Sequence, residues 1–240
     1  MPDGLLALSM NVEVEHKPSY ALAIVTLDLG DALVAESGAM VAMDADILAS
    51  PGFHGSNGGL GSMLSAAFFA LVRRYLTGES VFVNEFKAKK AGQRVFIAPA
   101  FVGDVVHMSL EKGESLTVQA GSWMAASKSV GLSLQWGGFS ALFARENPFF
   151  VRCSGPGEVI INAYGAIESV DIDGEWVVDS GHVVGWQGKL THTLRKAGGW
   201  VSSVTSGEGL VLAFKGKGRI YMQTRNTSAL VGWLTPLFPG

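Results

Sequence analysis

The chain has 240 residues and a single cysteine, Cys153. One thiol excludes an internal disulfide framework and fits a reducing compartment. In Phe150-Val151-Arg152-Cys153 it reads as a buried strand residue, with no local signature of a catalytic thiol. Charge is also scarce: 16% of residues against an average near 25%. A surface this poor in charge is expected to be covered in part by other copies or by something apolar. The net charge of −3 and the lack of a Lys/Arg cluster argue against nucleic-acid backbones, so DNA is excluded as a partner and RNA is disfavoured. The longest apolar run, Leu60 to Val72, is shorter than the roughly 20 residues a spanning helix needs. Met1-Pro2-Asp3-Gly4 lacks the positive start of a secretion signal. The expectation is a cytoplasmic protein with no transmembrane span, for which peripheral membrane contact stays open.

Catalytic signatures are equally sparse. The five histidines, His16, His54, His107, His182 and His192, contain no His-x-His, the spacing that would put two rings on one strand face around a metal. Gly52-Phe53-His54-Gly55-Ser56-Asn57-Gly58-Gly59-Leu60-Gly61 lacks the Gly-Lys-Ser/Thr ending of a phosphate loop and reads as a mobile loop or lid. No Gly-x-Ser-x-Gly elbow is present. Asp171, Asp173 and Glu175 alternate as a hard-cation site would require, but Asp173-Gly174 is also a strong turn pair, and the turn is the preferred reading. Asp44-Ala45-Asp46 reads as a solvated hairpin end. No catalytic residue, metal ligand or cofactor site is assigned, and a non-enzymatic protein is expected.

What the chain does have is glycine, 31 residues, roughly twice the average rate of about 7%, and a message stated three times. Leu29-Gly30-Asp31 runs into Leu33-Val34-Ala35-Glu36-Ser37-Gly38. Lys112-Gly113-Glu114 runs into Leu116-Thr117-Val118-Gln119-Ala120-Gly121. Asp173-Gly174-Glu175 runs into Val177-Val178-Asp179-Ser180-Gly181. Each is a turn, a short apolar strand and a small residue before a second Gly. A further landmark recurs: Glu79, Glu146 and Glu208 each precede an apolar strand, a Gly-containing turn (Gly92; Gly155-Pro156-Gly157; Gly216-Lys217-Gly218) and a returning strand. These are predicted to be hairpins. The three glutamates could share an axis around a cation, although capping of each hairpin is the simpler reading. A Gly pair stands upstream of each: Gly58-Gly59, Gly137-Gly138 and Gly198-Gly199. The first copy carries an insertion there, and Met63 to Leu76 has the Ala/Leu/Met content of a helix of about three to four turns. A second, short helix is predicted from Thr227 to Leu234, with a Thr or Ser cap, stopped by Pro236.

The expected fold is all-β: an antiparallel β-sandwich or double-stranded β-helix-like body of three pseudo-symmetric copies. It is one domain, 1–240, with repeats at about 10–110, 111–171 and 172–226 and a C-terminal segment 227–240. Of the six tryptophans, Trp123, Trp136, Trp176, Trp186 and Trp200 are expected mostly in the core. Trp233 with Leu230, Leu234, Leu237 and Phe238 is expected to pack on another copy or a neighbouring lobe.

Four strings carry a family resemblance: Glu36-Ser37-Gly38-Ala39-Met40-Val41-Ala42-Met43, Gly78-Glu79-Ser80-Val81-Phe82-Val83-Asn84, Gly207-Glu208-Gly209-Leu210-Val211-Leu212 and Gln223-Thr224-Arg225-Asn226. In this order the chain resembles bacterial and archaeal proteins of unknown function related to the mitochondrial protein altered inheritance of mitochondria 24. The resemblance implies a fold like the tryptophan RNA-binding attenuation protein, repeated in tandem around a pseudo-three-fold axis. It implies a link to membrane-complex organisation and supplies no catalytic residues. The function expected is a self-assembling binding or scaffold module, a homo-oligomer with a trimer favoured, open to a protein partner. The alternatives are a small-ligand or RNA binding module and, last, a cupin-like metal enzyme.

Overall fold

The computed structural model describes residues 10–52, 83–136, 149–196 and 210–238. The predicted helix over 63–76, the glycine loop beyond Gly52, the three Gly pairs, Glu79, Glu146, Glu208, His54 and Trp200 lie outside these residues. The described chain is all-β, as expected, apart from short 3-10 turns and one helix. Its strands are β1 (Asn11–Glu15), β2 (Leu22–Leu27), β3 (Ala32–Glu36), β4 (Met40–Met43), β5 (Leu48–Gly52), β6 (Val83–Lys87), β7 (Gln93–Ile97) and β8 (Val105–Leu110). They continue as β9 (Ser115–Gln119), β10 (Trp123–Ser127), β11 (Gly131–Trp136), β12 (Phe149–Ser154), β13 (Gly157–Asn162), β14 (Ile167–Asp179), β15 (Val183–Lys196) and β16 (Leu210–Gln223).

Three antiparallel sheets form, in the orders β1-β2-β7-β4, β5-β6-β3-β10-β13-β8 and β11-β12-β9-β15-β16-β14. One set of pairings recurs along the chain. β7 lies between β2 and β4, β13 between β8 and β10, and the second half of β16 between the first halves of β14 and β15. Likewise β6 lies between β3 and β5, β12 between β9 and β11, and the first half of β16 between the second halves of β14 and β15. The sets are joined where β10 pairs with β3 and β15 with β9.

The middle sheet explains the long apolar runs. Leu33 and Ala35 of β3 and Ile160 of β13 face one hydrophobic cluster with Val25, Phe86 and Ile97. Val34, Val159 and Ile161, on alternate positions, face a second cluster with Leu116, Val118 and Trp123. A sheet buried on both faces has no use for polar alternation, which accounts for much of the chain's low charge. A third cluster, including Trp186, Phe214 and Ile220, fills the third sheet.

The structure corrects several expected turns. Gly30 and Gly113 do sit in tight turns, where Asp31 N–H bonds to Asp28 O at 3.0 Å and Glu114 N–H to Glu111 O at 3.0 Å. Asp173-Gly174 does not turn; it lies within β14. Gly216-Lys217-Gly218 likewise lies inside β16. Gly174 and Gly216 face each other across the ladder with φ of 140° and 128°, a backbone that L side chains rarely adopt, so glycine lets two long strands bend where the earlier copies break and turn. The predicted hairpins at Gly92 and Gly155-Pro156-Gly157 are crossovers: β6 and β7 lie in different sheets, as do β12 and β13. β1 and β2 are separated by residues 16–21. The C-terminal helix, α1 (Thr227–Leu234), forms as expected, but its cap is Asn226 rather than Thr or Ser: Asn226 Oδ1 accepts Ala229 N–H at 2.7 Å. Among the described residues no helix is long and apolar enough to cross a membrane.

Candidate functional site

The corners that follow β3, β9 and the end of β14 have like sequences: Glu36-Ser37-Gly38, Gln119-Ala120-Gly121 and Asp179-Ser180-Gly181. The second and third wind into 3-10 turns, Ala120–Ser122 and Ser180–His182, the latter fixed by Gly181 N–H donating to Asp179 Oδ1 at 2.9 Å. The connectors that follow β7, β13 and β16 are stitched together beside them. Gly165 N–H bonds to Val102 O at 3.0 Å, and Asp104 N–H to Gly165 O at 2.8 Å. Thr224 N–H bonds to Ala166 O at 3.1 Å, and Ala166 N–H to Thr224 Oγ1 at 3.0 Å. The first junction needs glycine at 103: a Cβ there would lie within bonding range of Ala163 O and 2.8 Å from its carbonyl carbon.

Corners and connectors together enclose a pocket of about 270 Å³. The corners contribute Glu36, Gln119, Gly121, Ser122 and Gly181. The connectors contribute Ala100 and Phe101, then Asn162 and Tyr164, then Gln223 and Asn226, with Thr227 and Ser228 from the start of α1. Phe101 and Tyr164 are adjacent, ring centroids 5.7 Å apart and planes tilted by 44°. A polar chain ties the third corner to the helix. Tyr164 N–H donates to Gln223 Oε1 at 3.0 Å, and Gln223 Nε2 donates to Gly181 O at 2.9 Å. His182 Nδ1 donates to Gln223 O at 2.7 Å, which leaves Nε2 to accept from Asn226 Nδ2 at 2.9 Å.

The residues weighed as metal or catalytic candidates lie elsewhere. His16 is exposed beside Glu15 at 3.6 Å. His107 and Ser109, on one face of β8, both donate to Glu158 Oε2, at 2.6 and 2.7 Å, while Glu158 N–H bonds to Ser127 Oγ at 2.9 Å. His192 is an exposed residue whose ring packs on Trp186 with centroids 4.6 Å apart, and partial desolvation there holds its pKa below the ordinary histidine value. Asp171, Asp173 and Glu175 do share a face of β14, but each faces a cation on β16: Arg219 in a bidentate pair at 2.7 Å, Lys217 at 3.5 Å and Lys215 at 3.2 Å. This ladder replaces both the cation-site and the turn readings. Asp44 Oδ2 accepts Arg94 N–H at 2.8 Å, and Asp46 pairs with Lys90. Cys153 is fully buried, and burial pushes its thiol pKa up to about 12, partly opposed by the Trp123 indole. Such a thiol is inert at neutral pH. Among the described residues no group of three or more His, Cys, Asp or Glu could hold a metal.

Sequence reasoning missed the pocket residues Gln119, Ser122, Asn162, Tyr164, Gln223 and Asn226. The available signal was the polar residue that closes each corner strand (Glu36, Gln119, Asp179) and the amide after Ile161 and Met222. Trp123 and Trp186 are buried as expected, Trp176 is half-exposed, and Trp233 and Phe238 stand 67% and 71% exposed.

Comparison with known proteins adds a family. The family described as mitochondrial biogenesis AIM24 matches residues 12–225. An uncharacterized protein of Streptococcus pyogenes serotype M6 is 26% identical over 234 residues, covering 96% of this chain and 92% of its own length. A crystal structure of a Streptococcus pyogenes protein superposes with a TM-score of 0.76 at 23% identity, covering 95% of this chain and 100% of that one.

Proposed function

The chain belongs to the mitochondrial biogenesis AIM24 family, and on that premise we propose that it is a non-enzymatic binding module whose recognition site is the pocket between the corners. The observation that carries this reading is the pocket's wall: amides, hydroxyls, glycine backbone, the Glu36 carboxylate and two aromatic rings, contributed by all three recurring sets of strands. Such a wall orients a ligand through several converging polar groups. Among the described residues that line it there is no lysine or arginine, which disfavours a nucleotide or an RNA phosphate. The recurring pairings support three copies of one unit, with the corners and connectors gathered where the copies meet. A cytoplasmic location accords with the lone buried thiol.

The module is further proposed to work as a homo-oligomer, with a trimer favoured. Val231, Trp233, Leu237 and Phe238 form an exposed apolar segment that another copy would cover. Light scattering after gel filtration checks this, and a clean 25.3 kDa monomer refutes it.

The pocket itself is tested with a plug. A Cβ added at Gly121 meets no atom within 4 Å, so Gly121→Leu should fold and fill the space. Thermal unfolding is followed against panels of neutral polyols, amines, carboxylates and phosphates. A ligand at 100 times its Kd adds about 2.7 kcal/mol, which raises Tm by roughly 5–10 °C for a chain this long. The plugged variant should show no such rise. A rise that survives the plug, or no rise with any class, overturns the proposal.

A further inference from the structure

The recurring sets of strands are linked by two joints, and both edges of a third are present but unpaired. β10 meets β3 as Ala125↔Ala35, Ala126↔Val34 and Ser127↔Leu33, and β15 meets β9 as Gly185↔Val118, Trp186↔Thr117 and Gln187↔Leu116. The incoming strand shifts register just before each joint, between Trp123 and Ala125 and between Val183 and Gly185. β4 carries the same shift between Met40 and Ala42. The receiving strands end at Glu36 and Gln119, and each joint begins one residue earlier. β14 ends in the same way at Asp179. Among the described residues, however, β4 borders one sheet, β14 borders another, and the two do not run side by side.

Burial shows what the unmade joint leaves open. Trp123 to Ala126 of β10 are buried, as are Val183, Val184 and Trp186 of β15. Their counterparts Met40 and Val41 in β4 are 40% and 60% exposed. On the receiving side Leu33, Val34 and Leu116 are buried, whereas Trp176 and Val177 are 45% and 48% exposed. An edge with apolar side chains and free backbone groups is a template for another strand. The paired carboxylates of β14 stop at Glu175 and leave Trp176–Val178 unguarded. Each edge fits the other, because the counterparts of both already pair twice in this chain. The corners at which the two edges start, Glu36 and Gly181, line one pocket. A mate on the same chain therefore stands at an effective concentration of about millimolar, which a free second copy does not reach in dilute solution.

We propose that β4 and the end of β14 are the two halves of a third joint that the chain makes with itself. The first set of strands turns until β4 meets β14 in the register Ala42↔Val178, Met43↔Val177 and Asp44↔Trp176. Closing converts a row of three sets into a ring. It buries Met40, Val41, Trp176 and Val177 as their counterparts are buried, and it draws the first and third corners together across the pocket. The inference concerns the frame and stands whether or not the pocket takes a ligand.

The test places cysteines at the paired positions of the full chain, Met43→Cys with Val177→Cys, and compares them with Met43→Cys and Trp176→Cys, one residue out of register and so on the opposite face. The native Cys153 is fully buried and stays out of the reaction. Dilute protein is oxidised gently, and the products are read on non-reducing gels and by peptide mass mapping. The expected result is a disulfide within one chain, formed at least about ten-fold faster in register than out of it. Amide exchange of the unsubstituted chain gives a second reading. The β4 amides not bonded to β7 should exchange at least about ten-fold more slowly than the outward amides of β1, the other border of that sheet. If the cysteine variants fail to fold, this exchange decides alone. A disulfide that links two chains overturns the inference and assigns the edges to a second copy. Equal rates in and out of register overturn it as well, since they mark chance collisions. No disulfide and no protection in β4 would show that the joint stays open.

Discussion

Replacing Gly103 with alanine tests how the pocket's aromatic pair is held. The added methyl would collide with the carbonyl of Ala163, a backbone atom that cannot swing aside. The connectors after β7 and β13 must then part. Four backbone bonds are at risk: Gly165 N–H to Val102 O, Asp104 N–H to Gly165 O, Ala163 N–H to Asp104 O and Ala21 N–H to Gly103 O, at 3.0, 2.8, 3.1 and 3.1 Å. Losing two of them costs about 1–3 kcal/mol net. Separating Phe101 from Tyr164 adds about 0.5–1.5 kcal/mol. Alanine also stiffens the unfolded chain, which returns about 0.4–1 kcal/mol. The balance is a loss of about 1–3 kcal/mol, or roughly 3–10 °C in Tm. Urea unfolding should show a lower midpoint with an unchanged slope, which marks a change in stability rather than in the extent of unfolding. A Gly103→Ala protein as stable as the parent would show that the connectors have room to separate, and the account of how the pocket is built would be wrong.

Two further outcomes follow from the geometry. His192 lies against Trp186, Phe150 and Phe214, and partial desolvation by these rings depresses its folded pKa below the ordinary 6.5. The unfolded chain therefore takes up the proton first. The stability that neutral His192 provides is complete above that ordinary value and is lost as pH falls through it toward the depressed one. The urea midpoint should drop between neutral pH and pH about 5, and less so in His192→Phe; equal drops in both would exclude His192 as the cause. Asn226→Ala removes both the α1 cap and the bond to His182. Since α1 buries no residue, the cost of about 1–2 kcal/mol should stay local. Amide exchange at Ala229 to Val231 should quicken roughly 5- to 30-fold while global Tm holds, and unchanged exchange would show that the cap does not secure the helix.

The all-β class was legible because apolar runs of strand length, punctuated by glycine, leave few other options. Leu33 to Ala35 and Val159 to Ile161 could not be split between two cores from sequence, since a strand buried on both faces shows no period. The identical dipeptide logic that succeeded at Gly30 and Gly113 failed at Gly174 and Gly216. A glycine that lets the chain turn and one that lets a strand bend look the same in one dimension. The hairpins failed for a related reason: an antiparallel return and a step to another sheet both need a glycine-rich break, and only the third dimension separates them. The pocket was hidden because its parts are ordinary polar residues at strand ends, such as Gln119 and Asn162, far apart in the chain and joined only by packing. The α1 cap was misassigned by a single residue, as Asn226 outcompetes Thr227 and Ser228 through its 2.7 Å bond.

The outermost strand of the third sheet, β14, is thirteen residues long and leaves its far side without a neighbouring strand among the described residues. A border of that length would ordinarily template fibre growth by recruiting stray chains. The carboxylates at every second position, each paired with a basic group inland, line the border with charge that an added strand would have to strip of water. Neutralising them should shorten the shelf life of concentrated solutions well before it alters the folded state.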